Sequence, residues 1–283
     1  MKNTLFIFAL SMLVVGCNSP GPSKDASSES SGVDSLMNVK SSLNDNELSG
    51  IMESIPSPLE LSSLIQNSGA PFSETFLNKT ENAAKYNSQF SKSVNLGIYG
   101  ADLGYINLYQ KTFSAMDYLN TVYQLSNDLS IGEFFDFDNL KRLATNNSNL
   151  DSIVYITTTG FERMHKQLKK THNSQISVLI LVGGWIEGLH LTSEIVLASN
   201  SPNAKELMNT VYDERIVLED ILKLVNAFNS NPSFSDLSAN LENLKKIFSG
   251  ISPSGDAKAD SITPEQFRQL AAQIKSVRNK LTE

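Results

Sequence analysis

The sequence contains a single cysteine, Cys17. One cysteine cannot form a disulfide within the chain, and it cannot supply the cysteine pairs of a structural zinc site. A fold held by disulfides is therefore excluded, and the packing of apolar side chains must hold the chain together. With 283 residues, 40% of them hydrophobic, the chain is long enough for one sizeable domain or two small ones.

Positive charge is also scarce. The chain has 23 Lys and Arg against 30 Asp and Glu, a formal net charge of -7, and its sequence pI is about 5.1. Proteins that bind nucleic acids need a concentrated positive surface to meet the phosphates. We therefore expect no nucleic-acid partner.

The familiar motifs of catalysis and metal binding are missing as well. There is no G-x-S-x-G, no P-loop and no dinucleotide fingerprint. The histidines at 165, 172 and 190 lack a spacing such as H-E-x-x-H. The acidic stretch from Asp136 to Asp138 lacks the glycine and the glutamate that complete a calcium loop. We expect no metal and no cofactor, and the sequence alone leaves open whether the protein is an enzyme.

The N-terminus has the features of a secretion signal. Lys2 precedes an apolar run, Leu5 to Val15, which is too short for a spanning helix of about 20 residues. The run ends in Leu13-Val-Val-Gly-Cys17, which resembles the lipobox of bacterial lipoproteins, with Val14 where leucine is commonest. The resemblance implies cleavage before Cys17 and lipidation of Cys17. The alternative is an ordinary secretory signal with an incidental cysteine.

This N-terminus implies a membrane-tethered organisation. We assign residues 1–16 to a lipoprotein signal peptide, 17–44 to a flexible tether rich in Ser, Gly, Asp and Pro, and 45–283 to a helical domain. The resemblance implies that the N-terminal lipid attaches the protein to a membrane of the bacterial cell envelope. Asn18 replaces the aspartate that retains some lipoproteins in the inner membrane, so we expect the outer membrane.

Apolar residues in the rest of the chain recur at helical spacing, and no convincing strand alternation is present. The clearest stripes follow Leu150-Ile153-Val154-Phe161-Met164-Leu168, Leu207-Val211-Leu218-Ile221-Leu222-Val225 and Phe267-Leu270-Ile274-Val277-Leu281. The pattern predicts an all-α protein, an antiparallel bundle of several helices. The middle of the chain also resembles uncharacterised all-helical lipoproteins of Gram-negative bacteria, a resemblance that implies no activity.

Two segments, 95–109 and 181–190, combine helical spacing with repeated glycine. Glycine inside a helix costs up to about 1 kcal/mol relative to alanine, so a packing reason is expected. Gly100 and Gly104 are four apart, as are Gly184 and Gly188, and each pair would leave one flat helix face. We predict two glycine-rich core helices that cross at these faces. The alternative is that the glycines end or kink their helices.

Each glycine segment carries one carboxylate in an apolar run, Asp102 or Glu187. If the helices cross, both acids could face one pocket. Two carboxylates can perform acid–base chemistry or hold a cation. The alternative is that each acid bonds a helix cap, an Arg or a Tyr hydroxyl. The candidate pocket comprises Tyr99, Asp102, Tyr105, Tyr109, Trp185, Glu187 and His190.

Two functions are consistent with these residues. The first is a binding or interaction module of the cell envelope, with an envelope protein or a small molecule as its ligand. The second is a hydrolase-like enzyme that uses Asp102 and Glu187. The absence of a nucleophile, metal or cofactor motif favours the first.

Replacing the predicted lipid attachment site, Cys17, tests the predicted attachment to the membrane. In a Cys17→Ser variant the protein should leave the membrane fraction or remain unprocessed, because the sequence offers no other hydrophobic anchor outside the signal. Fractionation of cells expressing the variant and the wild-type chain measures this. Unchanged membrane association in the variant would contradict the lipoprotein prediction.

Overall fold

The computed structural model describes residues 39–55, 65, 69–145, 150–198, 204–251 and 262–283. The predicted signal peptide, Cys17 and most of the predicted tether lie outside these residues. Within the described ranges the chain forms α-helices and short 3₁₀ turns, with no strand, which confirms the all-α prediction. The helices are α1 (Asp45–Ser54), α2 (Gln89–Leu108), α3 (Thr112–Asp128), α4 (Phe137–Thr145), α5 (Leu150–Lys170), α6 (Ser174–Ala198), α7 (Ala204–Asp213), α8 (Arg215–Asn226), α9 (Pro232–Gly250) and α10 (Pro264–Thr282).

Several helix starts follow from local side-chain chemistry. The side chain of Thr263 accepts a hydrogen bond from the Gln266 N–H, and the Gln266 side-chain oxygen accepts one from the Thr263 N–H. This is the reciprocal capping box that a Thr followed three residues later by Gln favours. Asn44 and Glu47 form the same arrangement at the start of α1. Asn231 caps α9 ahead of a proline in the first turn. The folded part begins before residue 45, since the Ser42 N–H donates to the Ala227 carbonyl at 2.8 Å.

The chain from Asn78 to Phe90 does not form one continuous helix. Thr80–Lys85 forms a 3₁₀ turn, and α2 begins only after Ser88, whose hydroxyl accepts from the Ser91 N–H. Asn78 is fully buried and donates its backbone N–H to Asp102. This buried hydrogen bond bends the chain into the core, which propensity along the segment cannot anticipate.

The centre of the fold is the contact between α2 and α6. A Cβ atom on Gly97 would overlap the Ile180 carbonyl oxygen and lie 2.7 Å from the Gly184 nitrogen. A Cβ atom on Gly183 would overlap the Val94 carbonyl oxygen. The two backbones therefore touch, and only glycine fits at these two positions.

The predicted crossing of two glycine-rich helices is present, but its contact glycines are only partly those predicted. Gly184 lies at the contact through its backbone nitrogen. Gly100 does not, because no atom lies within 4 Å of the position where its Cβ would be. Gly104 and Gly188 are buried in the same helices. The glycine spacing identified the right helices, but on α2 the closest approach is at Gly97, about one turn before Gly100.

Neighbouring helices surround this pair. Val94 and Gly97 touch residues 180–184, and further along both helices Asp102 meets Glu187, so α2 and α6 run in the same direction. Two adjacent helices are antiparallel to this pair. The end of α3 meets the start of α2, where Asp128 pairs with Lys92 at 2.7 Å. Helix α10 is antiparallel to α6, since Arg278 meets Glu187 and Lys275 meets Glu194. In length and composition α6 resembles a membrane span, but its most apolar 18-residue window is 100% buried inside the fold. It is the core helix of the bundle.

Alanine at the crossing tests this arrangement. Gly97→Ala and Gly183→Ala should each lower the free energy of unfolding by about 1–3 kcal/mol or more, because the added methyl overlaps a backbone carbonyl that cannot rotate away. Gly100→Ala is the matched control. It has open space and should gain up to about 1 kcal/mol from its better helix propensity. Chemical denaturation of the three variants measures the sign, and a gain in all three would contradict the close crossing.

Candidate functional site

The parallel contact between α2 and α6 brings the two predicted acids together. Asp102 and Glu187 have no solvent exposure. The charge of Glu187 acts on Asp102, and the Asp102 carboxyl is within hydrogen-bonding reach of Glu187. The structure therefore brings both acids into one buried cluster, and the close helix approach at Gly97 explains how side chains on two helices can meet there.

Glu187 is paired with an arginine from the C-terminal helix. Arg278 donates from Nε to one Glu187 oxygen at 2.8 Å and from Nη2 to the other at 3.0 Å. This planar two-bond geometry is the strongest form of Arg–carboxylate pairing. Burial opposes the charge on Arg278, but the charge of Glu187 and these bonds outweigh it and raise the Arg278 pKa.

Sequence reasoning did not identify Arg278, although a signal was present. Leu270, Ile274 and Arg278 are spaced four apart and so share one face of α10. Both of the apolar residues are fully buried. A cation in an apolar stripe needs a buried anion, and Glu187 was already such an anion. Only the fold shows that these residues, 91 apart in sequence, meet.

Asp102 is in a different electrostatic state from Glu187. Its Oδ2 accepts the Asn78 N–H at 3.1 Å, whereas no donor reaches its Oδ1. Burial raises the pKa of Asp102 well above its usual range, the neighbouring Glu187 charge raises it further, and Arg278 only partly offsets them. Asp102 therefore holds a proton more readily than an aspartic acid in solution.

Other polar side chains close the cluster. His190 is buried, its Nε2 lies 3.2 Å from the Phe76 carbonyl oxygen, and burial lowers its pKa. Tyr99 donates its hydroxyl to the Lys79 carbonyl at 2.8 Å. Burial, followed by the Asp102 charge, raises the pKa of Tyr118, which sequence reasoning had not included. These phenols and the imidazole separate the acids from solvent.

Three members of the predicted pocket lie elsewhere. Tyr105 and Tyr109 pack on Phe72, with ring centroids 5.2 Å and 5.6 Å away. Burial raises the pKa of Tyr105 to about 12. Trp185 donates its indole N–H to Glu214 at 2.7 Å. Trp185 is two residues from Glu187, so it points to a different face of α6, because successive helical residues are 100° apart.

The acid cluster therefore has the properties of a closed ionic core rather than an open catalytic site. Both Glu187 oxygens accept from Arg278, and neither acid has exposed surface to meet a substrate. No group of three or more metal-ligating side chains is found among the residues that the structure describes. A catalytic base must reach a substrate proton, either directly or through one water, and this arrangement offers no such access.

The structure contains a second feature, an open cavity of about 930 Å³ at one end of the bundle. We call it the end groove. Its lining comes from the chain around the start of α1, from the connection after α3 and from the end of α5 through the start of α6. These residues are Val39, Lys40, Ser41, Leu43, Asp45, Leu48, Gln89, Leu129, Ser130, Ile131, Glu133, Phe134, Gln167, Leu168, Thr171, His172, Asn173, Ser174, Gln175, Ile176 and Phe228. Helix ends and connections build it, so periodicity in the sequence gave no sign of it.

Two residues of the end groove have an unusual backbone. Ser130 and His172 have φ of 58° and 56°, the left-handed region that favours glycine. Each residue follows the end of a helix, and the N–H of the residue after it donates to a carbonyl in the last turn of that helix. After His172, the Asn173 N–H donates to the Leu168 carbonyl at 2.8 Å. Gln110 after α2 has the same conformation, φ 53°, but it does not line the groove.

Comparison with known proteins adds no relative. No protein-family model, no curated protein and no solved structure matches the chain.

Neutralising Glu187 tests whether the buried pair is structural. Glu187→Gln should lower the free energy of unfolding by about 3–5 kcal/mol, because it removes the carboxylate that both Arg278 donors bind inside the core. The matched control is Glu219→Gln, which breaks the exposed Lys245–Glu219 pair and should cost less than about 1 kcal/mol. Denaturant titration compares the two variants. Equal, small effects would show that the buried pair does not hold the core.

Proposed function

We propose that the protein is a lipid-anchored binding module of the bacterial cell envelope, held in the outer membrane through Cys17 and without catalytic activity. Its ligand, a segment of an envelope protein or a small molecule, binds in the end groove. The lipobox-like residues before Cys17 support the address. The observation that carries the binding role is the end groove itself, an open cavity outside the acid cluster.

The composition of the end groove supports a mixed polar and apolar ligand. Lys40, Glu133 and His172 supply polar groups around it, and Leu43 and Phe134 supply partly exposed apolar surface. Sites for small molecules and peptides combine an apolar lining with a few polar groups that fix orientation. Its volume falls within the range of about 300–1,000 Å³ that is usual for such sites.

The backbone at Ser130 and His172 supports the same location. A left-handed residue other than glycine costs about 1–2 kcal/mol, and strained residues are concentrated at functional sites. Two of the three left-handed non-glycine residues among those described line the end groove. A side chain retained at such a position despite its cost is consistent with a role in contacting a ligand.

The end groove also lies where the folded part joins the proposed tether. Val39 lines the groove and follows Cys17 by 22 positions. A flexible chain of that length has an r.m.s. reach of about 25 Å. A ligand in the groove would therefore be held within a few nanometres of the membrane, which suits a partner that is itself membrane-attached or that crosses the envelope.

The hydrolase-like alternative receives less support. It requires Asp102 and Glu187 to act on a substrate, yet one is bonded to Arg278 and both are enclosed. Among the described residues the cavity lining includes neither acid. The end groove is thus the better candidate for ligand contact.

Site-specific photo-crosslinking in cells that carry the full, lipidated chain tests the proposal. A photoreactive residue in place of Gln167, which is exposed in the end groove, should give one adduct of defined mass. The same residue in place of Gln110, exposed but outside the groove, should give none. Adducts at both positions, or at neither, would contradict a ligand in the groove.

Glycine substitution separates ligand contact from backbone strain. His172→Gly and Gln110→Gly should both raise the melting temperature slightly, with gains of a few tenths to about 1 kcal/mol, because glycine relieves the left-handed strain. Only His172→Gly should weaken the adduct formed from position 167. Equal adduct yields in the two variants would show that the His172 side chain does not contact the ligand.

A further inference from the structure

The acid cluster contains more acidic groups than basic groups. Its centre holds two carboxyls, Asp102 and Glu187, and one guanidinium, Arg278. If both acids were ionised, the sealed core would contain one uncompensated negative charge. An unpaired charge is very costly in such surroundings, so it is normally removed by a proton.

The surrounding groups do not supply the missing positive charge. On α6, His190 is kept neutral by burial, and the Glu194 carboxylate, 4.0 Å from its ring, is paired with Lys275 of α10. Tyr86, Tyr99 and Tyr118 face the cluster from the segment before α2, from α2 and from α3, and burial raises the pKa of each. Glu74, which acts on Tyr118, adds a further negative charge.

The hydrogen bonds show where a proton belongs. Both Glu187 oxygens are engaged with Arg278 donors, so the negative charge belongs on Glu187. Asp102 Oδ2 accepts from Asn78, and Oδ1 has no donor although the carboxyl is within hydrogen-bonding reach of Glu187. Two ionised carboxylates would face each other there as acceptors only. A proton on Asp102 turns this repulsive contact into a hydrogen bond.

We propose that Asp102 is a protonated carboxylic acid that donates a hydrogen bond from Oδ1 to the Glu187 carboxylate. Two acids, one proton and Arg278 then form a group without net charge, which we call the lock. The lock holds the C-terminal helix against the core and weakens as pH rises. The lock does not depend on the binding role of the end groove.

The C-terminal helix is the element that such a lock would control. Arg278 joins it to Glu187, and its last carbonyls are also held from the core. Asn95 donates to the Leu281 carbonyl at 2.7 Å, and the Tyr86 hydroxyl donates to the Thr282 carbonyl at 3.3 Å. Loss of the Asp102 proton would place two carboxylates against one guanidinium, at the point where α10 docks.

The direction of the pH effect follows from proton linkage. The folded pKa of Asp102 is raised, so the folded chain keeps a proton that the unfolded chain releases near pH 4. Its stabilising contribution is complete below that pH and is lost as pH rises toward the folded pKa. His190 acts in the opposite sense, because its folded pKa is lowered and its contribution is lost as pH falls below about 6.5.

The first test is spectroscopic and uses the full-length protein in an ester-free detergent. Carbon-13-labelled aspartate shifts only aspartate bands, so an infrared difference spectrum at pH 7 should show the carbonyl stretch of one protonated aspartic acid. Asp102→Asn should remove the band, and Asp220→Asn, which changes a surface pair, should leave it. Absence of the band in the wild type, or its persistence in Asp102→Asn, would overturn the proposal.

The second test measures stability against pH. Asparagine can copy the protonated acid, accepting from Asn78 through its oxygen and donating to Glu187 through its amide, without holding a titratable proton. The ratio of the unfolding constants, wild type over Asp102→Asn, should rise about tenfold per pH unit above pH 5, until it levels at the folded pKa. A flat ratio, or a variant less stable than the wild type at pH 7, would overturn the proposal.

Amide hydrogen exchange locates the effect. The exchange rate of each amide is first corrected for the intrinsic pH dependence of amide exchange. In the wild type, the corrected rate in residues 264–282 should rise with pH more than the corrected rate in α8. In Asp102→Asn this difference should be absent. A uniform acceleration of all helices would overturn the role of the proton as a lock on the C-terminal helix.

Discussion

The fold depends on the backbone contact between α2 and α6. Two helices with ordinary side chains pack with axes about 8–10 Å apart. Here Gly97 and Gly183 remove the atoms that would keep the backbones at that distance. The remaining helices cover this pair, and α6 becomes so enclosed that almost every residue in it is buried. The bundle covers the whole of its most apolar 18-residue window, as a helix that is apolar on every face requires.

The close contact has an electrostatic consequence. It brings Asp102 and Glu187 into the same enclosed space, where neither could exist as an isolated ion. Arg278, from the C-terminal helix, binds Glu187, and the Asn78 N–H donates a hydrogen bond to Asp102. Buried ion pairs contribute little net stability compared with apolar packing, and their better-supported role is to specify one arrangement. We therefore interpret the cluster as the feature that fixes the position of the C-terminal helix.

Much of the fold was predictable because it depends on local chemistry. Apolar periodicity located α5 and α10 closely, and the capping box at Thr263 marks the start of α10. What sequence could not supply was the three-dimensional partner of each residue. The stripe from Leu207 to Phe228 is continuous in sequence, yet the helix breaks at Glu214, which Trp185 of α6 contacts.

The candidate site was predictable to a similar degree. Acids in apolar runs signalled burial, and the structure brings Asp102, Glu187, Tyr99 and His190 together. Glycine spacing suggested Gly100, whereas the contact uses Gly97, because the closest approach depends on how α2 is rotated toward α6. The end groove was not predictable, since it arises where unrelated helix ends meet. Single-residue signals thus identified buried groups but not the surface available to a ligand.

The central claim is that a glycine-permitted crossing encloses an acid cluster that no ligand reaches. A high-resolution crystal structure of the full chain at neutral pH tests it most directly. The account predicts backbone contact between Gly97 and Gly184, Arg278 bonded to both Glu187 oxygens, and Asp102 bonded to Glu187 with no channel to solvent. A separated helix pair, or a ligand or solvent channel at the two carboxyls, would contradict it.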